Sequence, residues 1–231
     1  MTDTPQRTLL HHGTGPGAFT PDGCSVELYT RLLANGEPEI VAGAVPPGAT
    51  LLELGAGAGR MTRPLLAHGL RVTAVDESPE MLARIDGAPA VCAAIEDLAL
   101  DTRFDVVLLA SFLVNTADET LRGALLRTCA RHTAPGGCVL VQREGQWQRD
   151  LAPGTEWHRD GLTVRVALRE PAAGGARRTR LEYAYRDAAW SQTFVSHHLT
   201  EPQFEEALAG AGLALDRYLT EDRTWVRAVP A

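Results

Sequence analysis

Residues 50–60 read Thr-Leu-Leu-Glu-Leu-Gly-Ala-Gly-Ala-Gly-Arg, and this stretch constrains the fold more than any other part of the chain. Leu51, Leu52 and Leu54 predict a short buried strand. Gly55, Gly57 and Gly59 then allow a sharp turn that passes close to a ligand, because no side chain bars the way. Helical character resumes over 60–68. A strand, a glycine-rich turn and a helix in that order form a nucleotide-binding half-unit, with the ligand at the helix N-terminus.

The flanking pattern extends this unit into a sheet. Strands are predicted over 71–75, 88–93, 104–110 and 138–142, with Pro135-Gly136-Gly137 turning the chain into the last of them. Between them, Ser78 caps a helix with Pro79 at its first position, and Thr116-x-x-Glu119 is a capping-box pattern opening a helix to His132. Alternating βα units of this length predict a parallel sheet with helices on both faces. Helices are also expected over 22–33 and 37–44. Residues 1–21 show no periodicity and read as an arm.

After Arg143 the period changes to two. Three half-buried strands are expected over 162–169, 181–186 and 190–198, forming an antiparallel meander inserted into the α/β unit. Thr200-x-x-Gln203 then caps a helix that buries Phe204, Leu208 and Ala211, and 213–219 with 223–229 forms a closing hairpin. The fold class is therefore α/β: a Rossmann-like, doubly wound, mostly parallel sheet with a C-terminal antiparallel hairpin, an inserted meander and an N-terminal helical lid.

Two features define the ligand of the glycine turn. Asp76 ends the second strand 21 positions after Gly55, where an acid meets paired ribose hydroxyls. A dinucleotide fingerprint, G-x-G-x-x-G, would put its third glycine at position 60. Arg60 stands there instead, and the third glycine is Gly59, which suits a smaller ligand without a pyrophosphate.

On these residues the chain resembles the class I S-adenosylmethionine-dependent methyltransferases. Glu53-Leu-Gly55-Ala-Gly57-Ala-Gly59 resembles their first motif, and Val75-Asp76-Glu77-Ser78-Pro79-Glu80-Met81 their second. Ile95-Glu96-Asp97-Leu98 is similar to the loop after their third strand, and Pro135-Gly136-Gly137 to the turn before their fifth. The resemblance implies S-adenosyl-L-methionine as cofactor. It also implies that Gly55, Ala56 and Gly57 hold the methionine moiety and that Glu53 anchors the loop. Asp76 would take the ribose hydroxyls, with Glu77 beside it also lining the cofactor site. Met81 would pack against the adenine, and Glu96, Asp97 and Leu98 would bracket the adenine edge. Ser111 and Phe112 would border the cofactor and the nucleophile, and Tyr29 would close over the top. Ala93-Ala94 stand where many relatives carry Gly-Asp.

The implied map is one methyltransferase domain over 1–231: arm and lid helices over 1–45, cofactor-binding core over 46–143, antiparallel substrate wall over 144–199, closing helix and hairpin over 200–231. If the acceptor must lose a proton, the candidate bases are His11, His12, His158, His197, His198 and Glu144, of which Glu144 and His197 are preferred. Adjacent strand residues face opposite ways, so only one of His197 and His198 would point into a cleft.

The net charge of −7, with no lysine among the 22 basic residues, argues against nucleic acid and for a small-molecule acceptor. Four cysteines without C-x-x-C pairing predict reduced thiols, Cys92 and Cys138 buried, and no metal site. The apolar runs are too short to span a membrane, and 1–13 lacks a signal-peptide core, so a cytoplasmic monomer or homodimer is expected. Composition and architecture are similar to bacterial tailoring enzymes of secondary metabolism, with transfer to O or N. The alternatives are a cofactor-binding enzyme of non-methylating cyclisation or rearrangement, a nicotinamide oxidoreductase, which Arg60 opposes, and a partner subunit with a vestigial pocket.

Overall fold

A computed structural model describes residues 11–231. The expected arm therefore lies partly outside the described residues. In chain order the elements are β1 (His12–Thr14), α1 (Val26–Arg31), α2 (Glu37–Gly43), β2 (Thr50–Leu54), α3 (Thr62–Ala67), β3 (Arg71–Asp76), α4 (Pro79–Leu82), β4 (Ala90–Cys92) and β5 (Phe104–Leu109). They continue as α5 (Glu119–His132), β6 (Thr133–Gln142), α6 (Gln146–Asp150), β7 (Glu156–Arg159), β8 (Leu162–Pro171), β9 (Arg177–Ala184), β10 (Ala189–Ser196), α7 (Glu201–Ala209), β11 (Leu213–Tyr218) and β12 (Trp225–Pro230). The chain divides into two compact units, one of residues up to Leu32 with Asp150–His197, the other of Leu33–Arg149 with His198–Ala231.

The larger unit is built on a seven-stranded sheet of order β11-β12-β6-β5-β2-β3-β4. β6, β5, β2, β3 and β4 run parallel, while β12 and β11 join antiparallel. Strict alternation along the central strands separates two cores. Leu52, Leu54, Val107, Leu109, Val139 and Val141 pack on the face with Leu125, Leu126, Phe204 and Leu208. Leu51, Val106, Leu108 and Leu140 pack on the other with Val41, Met61 and Leu65. Leu51, Leu52 and Leu54 are at most 1% exposed, and each such side chain contributes about 1.5–3 kcal/mol.

The smaller unit is a five-stranded antiparallel sheet of order β1-β10-β9-β8-β7. α1 is fixed within it by Tyr29, whose hydroxyl donates to Gln192 at 3.1 Å, and by Tyr185, whose hydroxyl donates to the Arg31 carbonyl. The Arg31 guanidinium lies over the Tyr185 and Trp190 rings and bonds Asp187.

Several sequence expectations are corrected. Residues 12–14 are not a featureless arm, because they pair with Ser191–Thr193 of β10. α1 begins at Val26, since Ser25 caps it and Gly23 turns the preceding chain at φ 81°. α3 begins at Thr62, because the glycine turn continues through Met61. The N-cap of α5 is Asp118, whose carboxylate accepts the Leu121 N–H at 3.1 Å, and Thr116 is not part of a capping box. Pro135-Gly136-Gly137 lies inside β6 as an irregularity against β5, where Phe104 pairs with Thr133 and Val106 with Cys138. β10 ends at Ser196, so His197 and His198 follow the strand. α6 and β7 were not foreseen. Cys92 is exposed because β4 is an edge strand, whereas Cys129 and Cys138 are buried thiols.

Candidate functional site

The candidate residues of the larger unit gather at the carboxyl ends of β2, β3, β5 and β6, where open α/β sheets bind ligands. β2 delivers the turn Gly55-Ala56-Gly57-Ala58-Gly59. All three glycines hold positive φ, 71°, 55° and 83°, which only glycine adopts without strain. The Ala56 N–H donates to the Val75 carbonyl, so the turn is sewn to the neighbouring strand.

Asp76 ends β3 and fixes the turn from the other side. One carboxylate oxygen accepts the Gly57 N–H at 2.8 Å and the other the Ser78 N–H at 2.9 Å. A carboxylate oxygen can accept more than one hydrogen bond. The Ser78 side chain caps α4 by accepting the Met81 N–H, as expected. Met81 and Leu98 are 1% and 2% exposed, so they form a packed floor, not an open wall. Above that floor Ile95 is half-buried and stands near Gly55, where an added Cβ would lie 3.6 Å from its Cδ1. Glu77 and Glu96 are half-buried and Asp97 exposed.

Glu53 lies on the α3 face of β2, under the turn, and accepts the Thr62 hydroxyl at 2.6 Å. Burial pushes its carboxyl up to about 7, with the Thr62 bond and Arg60 opposing and Asp76 adding to the rise. Arg60 has a role that the glycine spacing does not show. Its guanidinium pairs with Glu37 at the start of α2 at 2.6 Å and reaches Ser111 Oγ at 3.4 Å. Burial alone would raise the Glu37 carboxyl, but the charge and hydrogen bond of Arg60 hold it below its usual range.

β5 ends in strained backbone. Ser111 and Phe112 both lie in the left-handed region, at φ 54° and 61°. Such conformations cost about 1–3 kcal/mol each and persist where surroundings over-determine them. Here Gln142 at the end of β6 accepts the Ser111 N–H at 2.8 Å, and the Phe112 carbonyl accepts the Asn115 N–H at 2.8 Å. Asn115, 1% exposed, in turn accepts the Glu144 N–H at 2.8 Å. Glu144 is buried, and its Oε2 lies 3.9 Å from Nδ1 of His198. Arg143 is structural. Its guanidinium lies over the Phe204 ring and donates to the Leu199 carbonyl.

The structure thus brings together Glu53, Gly55, Ala56, Gly57, Asp76, Glu77, Met81, Glu96, Asp97, Leu98, Ser111, Phe112 and Glu144 within one unit. Tyr29 and His197 belong to the other unit. Glu37, Thr62, Gln142 and the anchoring role of Asn115 escaped the sequence reading. Among the described residues no group of three His, Cys, Asp or Glu is placed to hold a metal ion, and no helix is long and apolar enough to cross a membrane.

Residues 52–141 match the family model described as a methyltransferase domain. With the fold and the glycine turn, this match makes residues 52–141 similar to the cofactor-binding core of class I S-adenosylmethionine-dependent methyltransferases. A cypemycin N-terminal methyltransferase from Streptomyces sp. is 39% identical over 103 residues, a match spanning 41% of this chain and 41% of that protein. A ubiquinone biosynthesis O-methyltransferase from Xanthomonas oryzae pv. oryzae is 34% identical over 104 residues, spanning 41% of this chain and 42% of that one. Among solved structures, the sugar N-methyltransferase KedS8 from Streptoalloteichus sp. superimposes with a TM-score of 0.68 at 22% identity, covering 94% of this chain and 97% of that one. The matches to these two curated relatives thus span about two fifths of their length.

The residues fit S-adenosylmethionine as cofactor. The Gly-Ala-Gly-Ala-Gly turn carries no side chain larger than a methyl group. Asp76 places a carboxylate, the group that pairs with ribose hydroxyls in such sheets, directly beside the turn. Ile95 supplies apolar surface beside the turn for a flat base.

Proposed function

We propose that this protein transfers the methyl group of S-adenosylmethionine to a nitrogen or oxygen atom of a small molecule, a secondary metabolite. The observation that carries the reading is the glycine turn held to Asp76 at the carboxyl end of the parallel sheet. The cofactor, when bound, supplies an electrophilic methyl group on a sulfonium. The chain's residues bind and orient. Backbone groups of Gly55, Ala56 and Gly57 hold the methionine moiety, with Glu53 anchoring their loop through Thr62 and α3. Asp76, beside Glu77, takes the ribose hydroxyls. Ile95 and the floor of Met81 and Leu98 bracket the adenine, with Glu96 and Asp97 at its edge. Ser111 and Phe112 border the acceptor.

Holding two partners in line and close supplies much of the acceleration such a displacement needs. Support for a small acceptor comes from the net charge of −7, which disfavours a nucleic-acid phosphate backbone. Nitrogen and oxygen both stay in the proposal, because one relative is named for an N-terminal and another for an O-methyl transfer. The reading does not rest on Tyr29 or His197. The test is incubation with methyl-labelled S-adenosylmethionine and a panel of small amines and hydroxyl compounds, followed by chromatography. Label in a small-molecule product is expected. Cofactor turnover to an unmethylated, rearranged product would contradict methyl transfer.

A further inference from the structure

We infer that Glu144 and His198 form the proton-accepting pair of this site, His198 as the base and Glu144 as the residue that positions it. The inference rests on the methyl-transfer reading and deepens it. Glu144 follows β6 directly, at the same sheet edge as Ser111 and Phe112, and its backbone is fixed there by Asn115. Its carboxylate is 7% exposed and its Oε2 lies 3.9 Å from His198 Nδ1. The His198 side chain is 24% exposed, so one edge of the imidazole meets a buried carboxylate while the ring retains access to its surroundings. A carboxylate this near Nδ1 attracts the imidazolium that forms when the ring takes a proton at Nε2. Catalytic hydrogen bonds tighten as the complex with substrate forms.

The step balances without any further reactant. The acceptor's nitrogen or oxygen forms a bond to the methyl carbon, the carbon–sulfur bond breaks, and its electron pair stays on sulfur. The proton on the acceptor passes to His198 Nε2. Glu144 is the charged group found against the imidazole, and Arg143 donates to the carbonyl of the next residue, Leu199.

The experiment is a pH titration of the His198 imidazole by nitrogen-15 NMR, assigned with His198→Gln. It is run on the free protein and with S-adenosylhomocysteine or S-adenosylmethionine bound. These compounds differ by one positive charge and the methyl group, so no acceptor is needed. A base facing the reacting centre releases its proton more easily beside the sulfonium, with an acid dissociation constant about twofold or more larger than with S-adenosylhomocysteine. Glu144→Gln raises that constant about threefold or more in the free protein. Glu144→Asp, which keeps the charge, restores most of the difference. Titration curves that coincide with both compounds bound, and ignore Glu144→Gln, would overturn the pairing while leaving the methyltransferase reading intact. If neither compound perturbs the spectrum, the methyltransferase reading itself fails and the inference with it.

Discussion

Gly57 donates its backbone N–H to Asp76 Oδ2 at 2.8 Å, joining the middle of the glycine turn to the end of the adjacent strand. The second Asp76 oxygen accepts from Ser78. One carboxylate therefore shapes the loop and presents acceptors at the same place. The turn and the proposed ribose site are thus one unit, and several consequences can be measured.

Asp76→Ala removes both the latch and the ribose acceptors. S-adenosylmethionine binding, measured by calorimetry, weakens by about 1.5–3 kcal/mol, the range for losing charge-assisted bonds. Asp76→Asn retains one acceptor oxygen and loses less. Unchanged affinity in Asp76→Ala would show that the ribose is held elsewhere.

Gly55 sits at φ 71°, and a Cβ there would lie 2.7 Å from Leu113 Cδ1. Leu113 is flexible at that end, so the backbone dominates the cost. Gly55→Ala destabilises the protein by about 1–2 kcal/mol in urea titration. Adding Leu113→Ala to the same chain does not recover that loss. Recovery would show that steric contact, not φ, sets the requirement for glycine.

Glu53 gives stability a pH dependence. Its folded carboxyl titrates at about 7, above its ordinary value of 4.5, chiefly because it is buried. The fold therefore favours the protonated form. The stabilisation is fully present below the unfolded pKa and is lost as pH rises through 7. The loss attributable to this group reaches about 3 kcal/mol between pH 4.5 and 8. Glu53→Gln removes this dependence, so its stability relative to wild type improves from pH 5 to pH 8. Parallel curves for the two proteins would refute the burial of a proton at Glu53.

Asp118 caps α5, whereas the sequence pattern points to Thr116. Asp118→Ala lowers stability by about 1 kcal/mol. The Thr116 hydroxyl accepts the Asp118 N–H at 3.4 Å, and Thr116→Ala costs less than half as much. The reverse order in thermal melts would restore the capping box.

The contrast between these caps shows what local pattern can carry. The glycine turn was readable because positive φ at three alternate positions leaves only one residue type without strain. The parallel core was readable because Leu51, Leu52 and Leu54, Val106–Leu109 and Val139–Val141 supply apolar side chains to both faces. At the start of α5 two capping residues stand two positions apart, and only the geometry distinguishes them. β1 is three residues long and its partner lies some 180 positions away, so nothing local announces it.

The site divides in the same way. Asp76 and Glu53 have fixed offsets from the glycines. Gln142, Asn115 and Glu37 are ordinary polar residues that acquire roles only because β6 lies beside β5 and α2 beside the turn. Cys92 fell to the exposed side because the position of β4 at the sheet edge follows from topology, not from its apolar neighbours.

The central claim is that the turn over 55–59, with Asp76, binds S-adenosylmethionine. Calorimetric titration with S-adenosylmethionine, S-adenosylhomocysteine and NAD tests it most directly. The account predicts saturable binding of both sulfur compounds, weakened in Asp76→Ala, and no response to NAD. Tight binding of NAD with no response to either sulfur compound would contradict it.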